Sequence, residues 1–424
     1  MAASVPPELA AACARVRLAD EHDSVSGQPA RYVAEPASTA EAAAALRAAA
    51  ALDLTVLPRG TGGRVDWGRP PASCDLILST TRLDKVIEHA AGDLVVTVQA
   101  GVTLGALQER LATDGQRLAL DPPGAGTAGG LIATNAAGPL RFRYGAPRDL
   151  LIGITIVRAD GTVAKAGGKV VKNVAGYDLG KLFAGSYGTL GLITEATFRL
   201  HPLPAATAWV TAETGDPTAA AVLALSAARS PYAPAAVELD WPASTGPLTV
   251  SVLLEGDEPS VAERADLLAA WLKSEVAGIA AGPFSVVRPR LGNRARPTAP
   301  TQIRVAFWTG RLAEVLGTIG ALAARHRLDP AVSGAAAAGV LELSLPADAP
   351  AESVAELVAE LRAEVAAGDG EMPTGSVVVL TAPAEVRAAA DMWGPVPSPG
   401  LMRAVKDQFD PGHRMAPGRF AGGI

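Results

Sequence analysis

The chain has 424 residues, with 37 Lys and Arg against 43 Asp and Glu, so its formal net charge is −6. This acidic balance argues against a general nucleic-acid-binding protein, which normally presents a basic surface. At roughly 100–200 residues per domain, the length allows two or three domains. The two cysteines are too few for a disulfide framework or a four-thiolate iron–sulfur cluster, and they indicate a reducing compartment. An electron-transfer role would therefore need an organic cofactor, a partner, or both.

Neither the N-terminus nor the hydropathy pattern indicates a membrane protein. The first residues lack a basic segment followed by a long apolar stretch, so we expect no secretory signal. No window approaches the ~18 uncharged apolar residues that a membrane-spanning helix needs. We therefore expect a soluble, cytoplasmic protein without a transmembrane segment.

From about residue 34 to residue 203, strand-like and helical segments alternate. Runs rich in Val, Ile and Thr, bounded by Gly, Pro or Asp, predict strands. They lie in the ranges 54–63, 93–102, 150–163 and 191–204. A Ser/Thr cap with Glu41 in the first turn predicts a helix at 38–52, and leucines at helical spacing predict another at 103–115.

After the sequence HPLP (201–204) the pattern changes. Alternating segments at 249–256 and 340–346 predict strands, and segments at 261–276 and 351–365 predict helices, an order that indicates an α+β layered domain. The last residues combine glycine, proline and basic residues in a composition that suits a tail folding back over another part of the chain. We therefore predict a first domain at 1–204, a second at 205–385 and a C-terminal segment at 386–424.

Three glycine-rich segments are candidates for a ligand site. The first is Pro58 to Gly63, directly after the apolar run LTVL. Several backbone N–H groups of such a turn can point into one concavity, which suits an anion such as pyrophosphate. The alternative is a tight turn that binds no ligand.

The second segment, GAGTAGG (124–130), matches the dinucleotide pattern G-x-G-x-x-G. That pattern requires a buried strand immediately before its first glycine. Here the sequence Asp-Pro-Pro (121–123) occupies that place, and proline cannot donate to a central ladder, so we reject a Rossmann site. Thr127, Thr134 and Asn135 nevertheless alternate with very small residues, which would let a phosphate or an isoalloxazine ring approach the backbone closely.

The third segment spans residues 170–204. Four of the seven lysines of the chain lie between Lys165 and Lys181, and a solvated basic face explains them most simply. The sequence GSYGTLG (185–191) then predicts a tight turn into the strand LITEATFRL.

In this order and spacing, the three segments resemble the FAD-binding domain of the vanillyl-alcohol oxidase/PCMH flavoprotein family, over about residues 30–204. The resemblance implies an α+β fold, with a two-lobed PCMH-type FAD-binding domain at 1–204 and an α+β substrate or cap domain at 205–385. Residues 386–424 would return to the FAD domain. The stretch GGKVVKNVAGYDLGKLFAGSYGTLG and the ending LMRAVKDQFDPGHRMAPGRFAGGI are most similar to the flavin-binding E subunits of bacterial glycolate oxidases.

The same resemblance implies partners and cofactor contacts. It implies a complex with a second flavoprotein dehydrogenase subunit and an iron–sulfur subunit, a small 2-hydroxy acid as substrate, and membrane association only through those partners. Several family members link the flavin to a His of the first loop, but Arg64 follows the glycines here, so we expect noncovalent FAD. The implied FAD contacts are Arg59, Gly60, Thr61, Gly62, Gly63, Pro122, Thr127, Gly129, Gly130, Ala133, Thr134, Asn135, Tyr144, Gly145 and Ile193.

Many D-2-hydroxy acid dehydrogenases of this family carry a His-rich metal site in the substrate domain. The five histidines of this chain are widely scattered and none forms a pair at metal-ligand spacing, so we predict no metal site. Ser333 and Gly334, followed by four alanines, occupy the region where such a signature would be sought. Independent oxidation of a hydroxy acid by this chain is therefore in question.

Oxidation of a 2-hydroxy acid needs a flavin, a cation for the carboxylate and a base for the hydroxyl proton. Arginine suits the carboxylate because its guanidinium can bind both oxygens. Arg141, Arg143 and Arg304 are candidates for that role, and a surface or structural role is the alternative for each. Tyr144 and His413 are candidates for the base.

Three functions remain open at this point. The chain is a redox-active FAD subunit of a glycolate (2-hydroxy acid) dehydrogenase complex, or mainly a structural and assembly flavoprotein subunit whose partner oxidises the substrate. The third is a stand-alone FAD-dependent oxidase.

Overall fold

Local sequence signals set the ends of the helices. The computed structural model describes residues 4–169, 177–243, 246–275, 281–287, 299–366 and 375–424. The Ser38 hydroxyl accepts a hydrogen bond from the Glu41 amide at 3.1 Å, and the Glu41 carboxylate accepts one from the Ala37 amide at 3.1 Å. This reciprocal capping begins the first long helix where the sequence predicts it. The Thr103 hydroxyl caps the second predicted helix through the Ala106 amide at 3.3 Å.

The elements follow one another in a mixed order of helices and strands, as the predicted α+β class requires. Up to residue 203 they are α1 Pro7–Ala12, β1 Val16–Leu18, β2 Ser24–Val25, β3 Gln28–Pro29, β4 Tyr32–Ala34, α2 Thr39–Ala51, β5 Val56–Arg59, β6 Leu76–Ser79, β7 Val86–Ala90, β8 Val95–Gln99, α3 Leu104–Ala112, β9 Gln116–Arg117, α4 Ala128–Thr134, α5 Arg141–Tyr144, α6 Pro147–Leu150, β10 Leu151–Val157, β11 Val163–Gly167, α7 Gly180–Phe183, β12 Leu192–Arg199 and β13 His201–Pro202.

The remaining elements are β14 Ala206–Thr214, α8 Pro217–Arg229, β15 Ala236–Trp241, β16 Leu248–Gly256, α9 Glu258–Glu275, β17 Ala281–Val287, β18 Thr301–Phe307, α10 Leu312–His326, β19 Ala331–Ala335, β20 Val340–Leu345, α11 Ala351–Ala366, β21 Gly375–Thr381, α12 Ala384–Ala389 and α13 Pro399–Phe409. In the described part of the chain, no helix has both the length and the apolar composition that crossing a bilayer requires.

The chain divides into two compact units. Unit 1 comprises Met1–Ala137, Ala146–Leu203 and Val396–Ile424, and unit 2 comprises Gly138–Gly145 and Pro204–Pro395. The sequence placed the first boundary at 204/205, one residue from the observed one, and the second at 385/386 rather than 395/396. It did not foresee that the chain enters unit 2 briefly at 138–145. There Leu140 packs in an apolar cluster with Ala235, Ala236 and Leu253.

Unit 1 contains two main sheets. A four-stranded sheet has the order β1-β4-β6-β5, in which β4, β6 and β5 are parallel, and a five-stranded antiparallel sheet has the order β11-β10-β12-β8-β7. Strand β5 lies at the edge of the first sheet, and the first glycine-rich segment follows directly from its carboxyl end. Each sheet packs against its own core, one with α2 and the other with α3 and α4.

The free edge of β5 is closed by residues from the other end of the chain. The Val56 amide donates to the Arg414 carbonyl at 2.8 Å, and the Ala416 amide donates to the Val56 carbonyl at 2.8 Å, a parallel bridge between Val56 and Met415. The C-terminal segment thus returns to unit 1, and Met415 is fully buried there.

Unit 2 is a two-layer α+β structure. Its eight-stranded sheet has the order β17-β14-β16-β15-β19-β20-β18-β21, and helices α8 to α11 contribute to the same apolar core as alternate residues of the strands. On β18, for example, Ile303 and Val305 belong to this core, whereas Arg304 lies on the opposite face. Strand and helix positions predicted at 249–256, 261–276, 340–346 and 351–365 agree closely with β16, α9, β20 and α11.

Candidate functional site

The glycine-rich segments border one cleft in unit 1. The cleft contains about 760 Å³ of space, including the open solvent at its mouth. It is lined by Pro58, Arg59, Gly60, Thr61, Gly62, Gly63, Arg64 and Val65 of the first segment, by Gly126, Thr127, Gly129, Gly130, Ala133 and Thr134 of the second, by Tyr187, Gly188, Gly191, Leu192 and Ile193 of the third, and by Thr80 and Arg419.

Glycine is needed at Gly63 and Gly129 because neighbouring atoms lie too close for a side chain. A Cβ on Gly63 would lie 2.6 Å from the Ala125 carbonyl oxygen, and a Cβ on Gly129 would lie 2.8 Å from the Cβ of Ala100. Gly62 has a φ of +84°, which side chains rarely adopt, and a Cβ there would face open space. The first segment therefore presents main chain rather than side chains to the cleft, the surface that a pyrophosphate requires. The main chain of the first segment therefore suits the pyrophosphate of FAD.

Arg64 connects the first two segments. Its guanidinium donates to the Ala125 carbonyl at 2.9 Å and to the Pro123 carbonyl, and it lies over the Trp67 ring at 5.5 Å. The side chain is 9% exposed. Arg64 occupies the position at which some members of the resembled family carry the His that links the flavin. Its guanidinium instead holds the first two segments together through these hydrogen bonds.

The second segment does not have the geometry of a Rossmann turn. Within the described range 4–169, residues 118–126 form no strand, and α4 begins only at Ala128. The Thr127 hydroxyl caps α4 through the Gly130 amide at 3.2 Å, and the Thr134 hydroxyl donates to the Gly130 carbonyl at 2.8 Å. Asn135 ends the helix with a φ of +47°, and its side-chain oxygen accepts from the Arg148 amide at 3.1 Å.

The third segment is tied to the second by main-chain hydrogen bonds. The Tyr187 amide donates to the Ala133 carbonyl at 2.8 Å, and the Gly185 amide donates to the Ile132 carbonyl at 2.9 Å. Residues 170–176 of the predicted segment lie outside the described residues. The three described lysines of this region, at 44–73% exposure, each lie beside a carboxylate, as a solvated basic face would: Lys165 with Glu195, Lys169 with Glu88 and Lys181 with Asp178.

Arg59 reaches away from the loop that it begins. Its guanidinium donates to the Asp23 carboxylate at 2.8 Å, and Arg17 donates to the same carboxylate at 2.5 Å. Burial opposes ionisation of Asp23, but the hydrogen bonds from both arginines outweigh it and lower the pKa of this carboxyl to about 2. The Arg59 side chain is therefore engaged in fixing the carboxyl end of β5.

The C-terminal segment contributes a charged residue to the cleft. Arg419 is 4% exposed, and its guanidinium donates to the Trp67 carbonyl at 2.9 Å and to the Val65 carbonyl. Burial lowers the pKa of Arg419 to about 10, which leaves the group protonated at neutral pH. The neighbouring Phe420 ring lies 5.8 Å from the ring of Tyr187.

Most of the FAD contacts implied by the resemblance line this cleft, and four do not. Pro122 and Asn135 lie in unit 1 outside the lining set, and Tyr144 and Gly145 belong to unit 2. The sequence reasoning did not single out Thr80, Tyr187 or Arg419 as lining residues. A glycine- and proline-rich C-terminus was the only signal for Arg419, and it indicated a returning tail without indicating which residue would reach the cleft.

The candidate catalytic residues are engaged in contacts within the fold. Arg304 donates to the Glu342 carboxylate at 2.8 and 3.2 Å, and the two residues are cross-strand partners on β18 and β20. Arg143 donates to the Ala233 carbonyl at 3.2 Å.

The two candidate bases are placed differently. The Tyr144 hydroxyl donates to the Glu255 carboxylate at 2.7 Å within unit 2. His413 is 57% exposed beside Asp407 and does not line the cleft. Among the described residues, no group of three or more His, Cys, Asp or Glu side chains is arranged to hold a metal ion.

Comparison with known proteins connects this geometry to a family. Residues 30–167 match a family model described as FAD binding domain. The chain is 39% identical over 173 residues to the D-lactate dehydrogenase of Archaeoglobus fulgidus (40% of this chain, 38% of the relative) and 36% identical over 151 residues to the glycolate oxidase subunit GlcE of Escherichia coli (35% of this chain, 43% of the relative). These alignments cover less than half of each relative.

The fold has a close counterpart among solved structures. A substrate-bound crystal structure of p-cresol methylhydroxylase superimposes with a TM-score of 0.71 at 16% sequence identity, and the match covers 97% of this chain and 95% of the other. At this identity the likeness concerns the fold alone. Residues 30–167 therefore match an FAD binding domain in sequence, and the chain as a whole is similar in fold to p-cresol methylhydroxylase.

Proposed function

We propose that this chain is the FAD-binding subunit of a glycolate (2-hydroxy acid) oxidase or dehydrogenase complex, which transfers electrons from a 2-hydroxy acid to a partner acceptor. The observation that carries the proposal is the cleft in unit 1, where three separate glycine-rich segments meet. The likeness to a glycolate oxidase subunit and to a D-lactate dehydrogenase supports a 2-hydroxy acid as substrate.

FAD would be held mainly by the main chain. The amides of Gly60 to Gly63 suit the pyrophosphate, and the small residues of α4, Gly129 and Ala133, allow close approach of the cofactor. When bound, the flavin supplies a hydride acceptor for the carbinol carbon of the substrate. Arg64 holds the two loops through the Pro123 and Ala125 carbonyls, which supports noncovalent binding of FAD.

Electrons would leave this chain through a partner. The two cysteines are both buried, and burial raises the pKa of Cys74 to about 11, so its reactive thiolate is disfavoured. An iron–sulfur subunit and a second flavoprotein dehydrogenase subunit would provide the acceptor and, through their own attachment, a peripheral position on a membrane. The chain itself would reside in the cytoplasm.

A second candidate function is favoured by the contacts of the candidate catalytic residues. Arg304 is paired with Glu342, and Tyr144 donates to Glu255, so both groups already serve the structure of unit 2. In this alternative the chain binds FAD and helps to assemble the complex, and the partner flavoprotein oxidises the substrate. A stand-alone oxidase would instead need a base and a carboxylate-binding cation within this chain.

The first test is whether the purified protein carries FAD. We expect a yellow protein that releases FAD on acid precipitation, because the cleft offers its contacts through the main chain rather than through a covalent link. A colourless protein that does not take up added FAD would falsify the cofactor assignment.

The second test separates the candidate functions under anaerobic conditions. Bleaching of the flavin band at ~450 nm by glycolate or D-lactate in the isolated holoprotein supports a redox-active subunit. Bleaching only after the dehydrogenase partner is added supports the assembly role. Rapid reoxidation by oxygen of the substrate-reduced chain alone would instead support a stand-alone oxidase.

A further inference from the structure

The C-terminal segment joins the apolar cores of the two main sheets of unit 1. On helix α13, Val405 and Phe409 pack against the core of the five-stranded sheet, and the Phe409 ring lies 5.5 Å from the ring of Phe183. Shortly after Phe409, Met415 belongs to the core of the four-stranded sheet. The chain therefore crosses from one core to the other within residues 410–420, which we call the C-terminal strap.

The strap is bonded to the wall of the cleft that begins with the first glycine-rich segment. The Arg419 guanidinium donates to the Trp67 carbonyl at 2.9 Å, and the Arg69 amide donates to the Arg419 carbonyl at 3.2 Å. The Ala72 amide donates to the Pro417 carbonyl at 2.8 Å. All of these bonds go to the stretch of chain that continues the first segment, so the strap holds that stretch in place.

The strap is also joined to the third glycine-rich segment, through one lysine. The Lys406 ammonium donates to the Thr189 carbonyl at 2.7 Å, to the Asp410 carboxylate at 2.7 Å and to the Met415 carbonyl at 2.9 Å. Thr189 lies in the third segment, between two glycines that line the cleft. An ammonium has three donors, and all three are used here to hold the strap against this wall.

Lys406 and Asp410 form a buried ion pair at the start of the strap. Lys406 is 1% exposed and Asp410 is fully buried. The Asp410 carboxylate also accepts from the Met415 amide at 2.7 Å and from the Arg414 amide at 3.1 Å, which fixes the turn from α13 into the strap. Burial lowers the pKa of the Lys406 ammonium, whereas the hydrogen bond to Asp410 opposes this shift. Because a buried charge without its partner is costly, removal of either group should release the strap.

The strap is the part of the cleft wall that can detach with the least loss of regular structure. Residues 410–420 are all described, and they form no helix or strand and make one isolated bridge, from Met415 to Val56. The glycine-rich segments, in contrast, adjoin β5, α4 and β12. Local opening costs least in segments that lack such regular hydrogen bonding, and the moving parts of binding sites are drawn from them.

We propose that the C-terminal strap is a gate that undocks to let FAD enter and leave the cleft, and that the pair of Lys406 and Asp410 sets the rate of this exchange. The proposal rests on the noncovalent FAD site proposed above. Because the strap is bonded to both the first and the third segment, these walls can separate only when it is released. A gate slows association and dissociation together, whereas a residue that only supports the bound cofactor changes dissociation alone.

The first experiment measures both rates in the natural chain and in Lys406→Met. Flavin fluorescence follows the uptake of FAD by apoprotein after rapid mixing, and the release of FAD after dilution of holoprotein. We expect both rates to rise at least about tenfold, with the dissociation constant changed by less than about threefold, because loss of the pair favours the undocked strap. Lys181→Met, which removes an exposed ion pair, is the matched control and should leave both rates unchanged.

The second experiment locks the strap reversibly and stays decisive if Lys406→Met fails to fold. A Cβ on Gly418 would lie 3.2 Å from the Cβ of Ala72, close to the separation of about 3.5–4.5 Å found in disulfides. The double variant Ala72→Cys/Gly418→Cys should therefore bridge the strap to the chain after the first segment when it is oxidised. We expect oxidation to slow FAD uptake and release at least about tenfold, and a reductant to restore both rates.

Gly418→Cys alone is the matched control for the lock, because it has the same backbone position, with a φ of +77°, but cannot form the bridge. An unchanged association rate in Lys406→Met would overturn the proposal, and so would equal exchange rates in the oxidised and reduced double variant. Failure of the natural apoprotein to take up FAD would instead refute the proposed noncovalent site itself.

Discussion

At the scale of single residues, the cleft depends on arginine side chains that hold its glycine-rich loops in place. Arg59 illustrates this, because its guanidinium is turned to Asp23 while its main chain begins the glycine-rich loop. The glycines at 60, 62 and 63 led to the prediction that this loop binds through its backbone, and that prediction stands untested. The sequence could not predict the partner, because Asp23 lies 36 positions earlier and nothing local marks it.

The Asp23 carboxylate gives the fold a specific acid sensitivity. The pKa of Asp23 is about 2 in the folded chain, below its ordinary value of 3.8, so the ionised form stabilises the fold above pH ~4. This contribution amounts to about 2 kcal/mol and is lost as the pH falls from ~4 to ~2. Asp23→Asn should therefore lower the free energy of unfolding at pH 7 by about 2 kcal/mol, and the difference from the natural chain should shrink at pH 2.

Urea unfolding at pH 7, 4 and 2 measures this difference. Asp20→Asn is the matched control, because Asp20 also lies beside Arg17 but is 58% exposed, and exposed pairs contribute little. A loss of stability in Asp23→Asn that stays constant from pH 7 to pH 2 would show that the carboxylate charge is not responsible.

At the scale of elements, the sequence was most informative where a helix or strand is specified by its own residues. Helix α2 is capped by Ser38 and Glu41, and both residues and their spacing are visible in the sequence. Contacts between distant elements were not visible in this way. Arg64 and Pro123 are 59 positions apart, and Lys406 and Thr189 are 217 apart, and no periodicity relates such pairs.

The buried pair of Lys406 and Asp410 should be the most sensitive ion pair of helix α13. Lys406→Met leaves the Asp410 carboxylate buried without its cation, which typically costs about 3–5 kcal/mol. Thermal or urea unfolding should show a loss of this size. The Thr189 and Met415 carbonyls also lose their donor in this variant, so the C-terminal segment should become more accessible to protease.

Lys181→Met is the matched control for this variant. Lys181 lies 2.9 Å from Asp178 but is 44% exposed, and such a surface pair contributes at most about 0.5 kcal/mol. Equal destabilisation by both substitutions would contradict the role assigned to the buried pair.

At the scale of the whole molecule, the predicted boundary at 204/205 lies beside the division of the two units after Leu203, whereas the crossing at 138–145 was not predicted. The motif HPLP and the change in composition after it marked the boundary at Leu203, and the composition of the C-terminus indicated a tail that returns. The sequence did not predict that residues 138–145 belong to unit 2. Leu140 packs there with Ala235 and Leu253, which lie about a hundred positions later in the chain. The resemblance implied FAD contacts at Tyr144 and Gly145, whereas the structure places both residues in unit 2.

The return of the chain to unit 1 brings Arg419 to the lining of the cleft, and truncations test whether FAD binding depends on the C-terminal segment. A chain ending at Phe409 lacks Asp410, the Met415 pairing with Val56, and Arg419. A chain ending at Arg419 keeps all three and loses only the last five residues, 420–424. We expect the first to lose FAD during gel filtration and the second to retain it.

The comparison between the two truncations is informative because the shorter one keeps helix α13 intact up to its last residue. Loss of FAD from it can therefore be assigned to residues 410–419, provided that circular dichroism shows the same helix and strand content in both chains. Retention of FAD by the chain ending at Phe409, with unchanged affinity, would show that the edge of β5 and the cleft form without the returning segment. The cofactor would then depend on the glycine-rich loops alone.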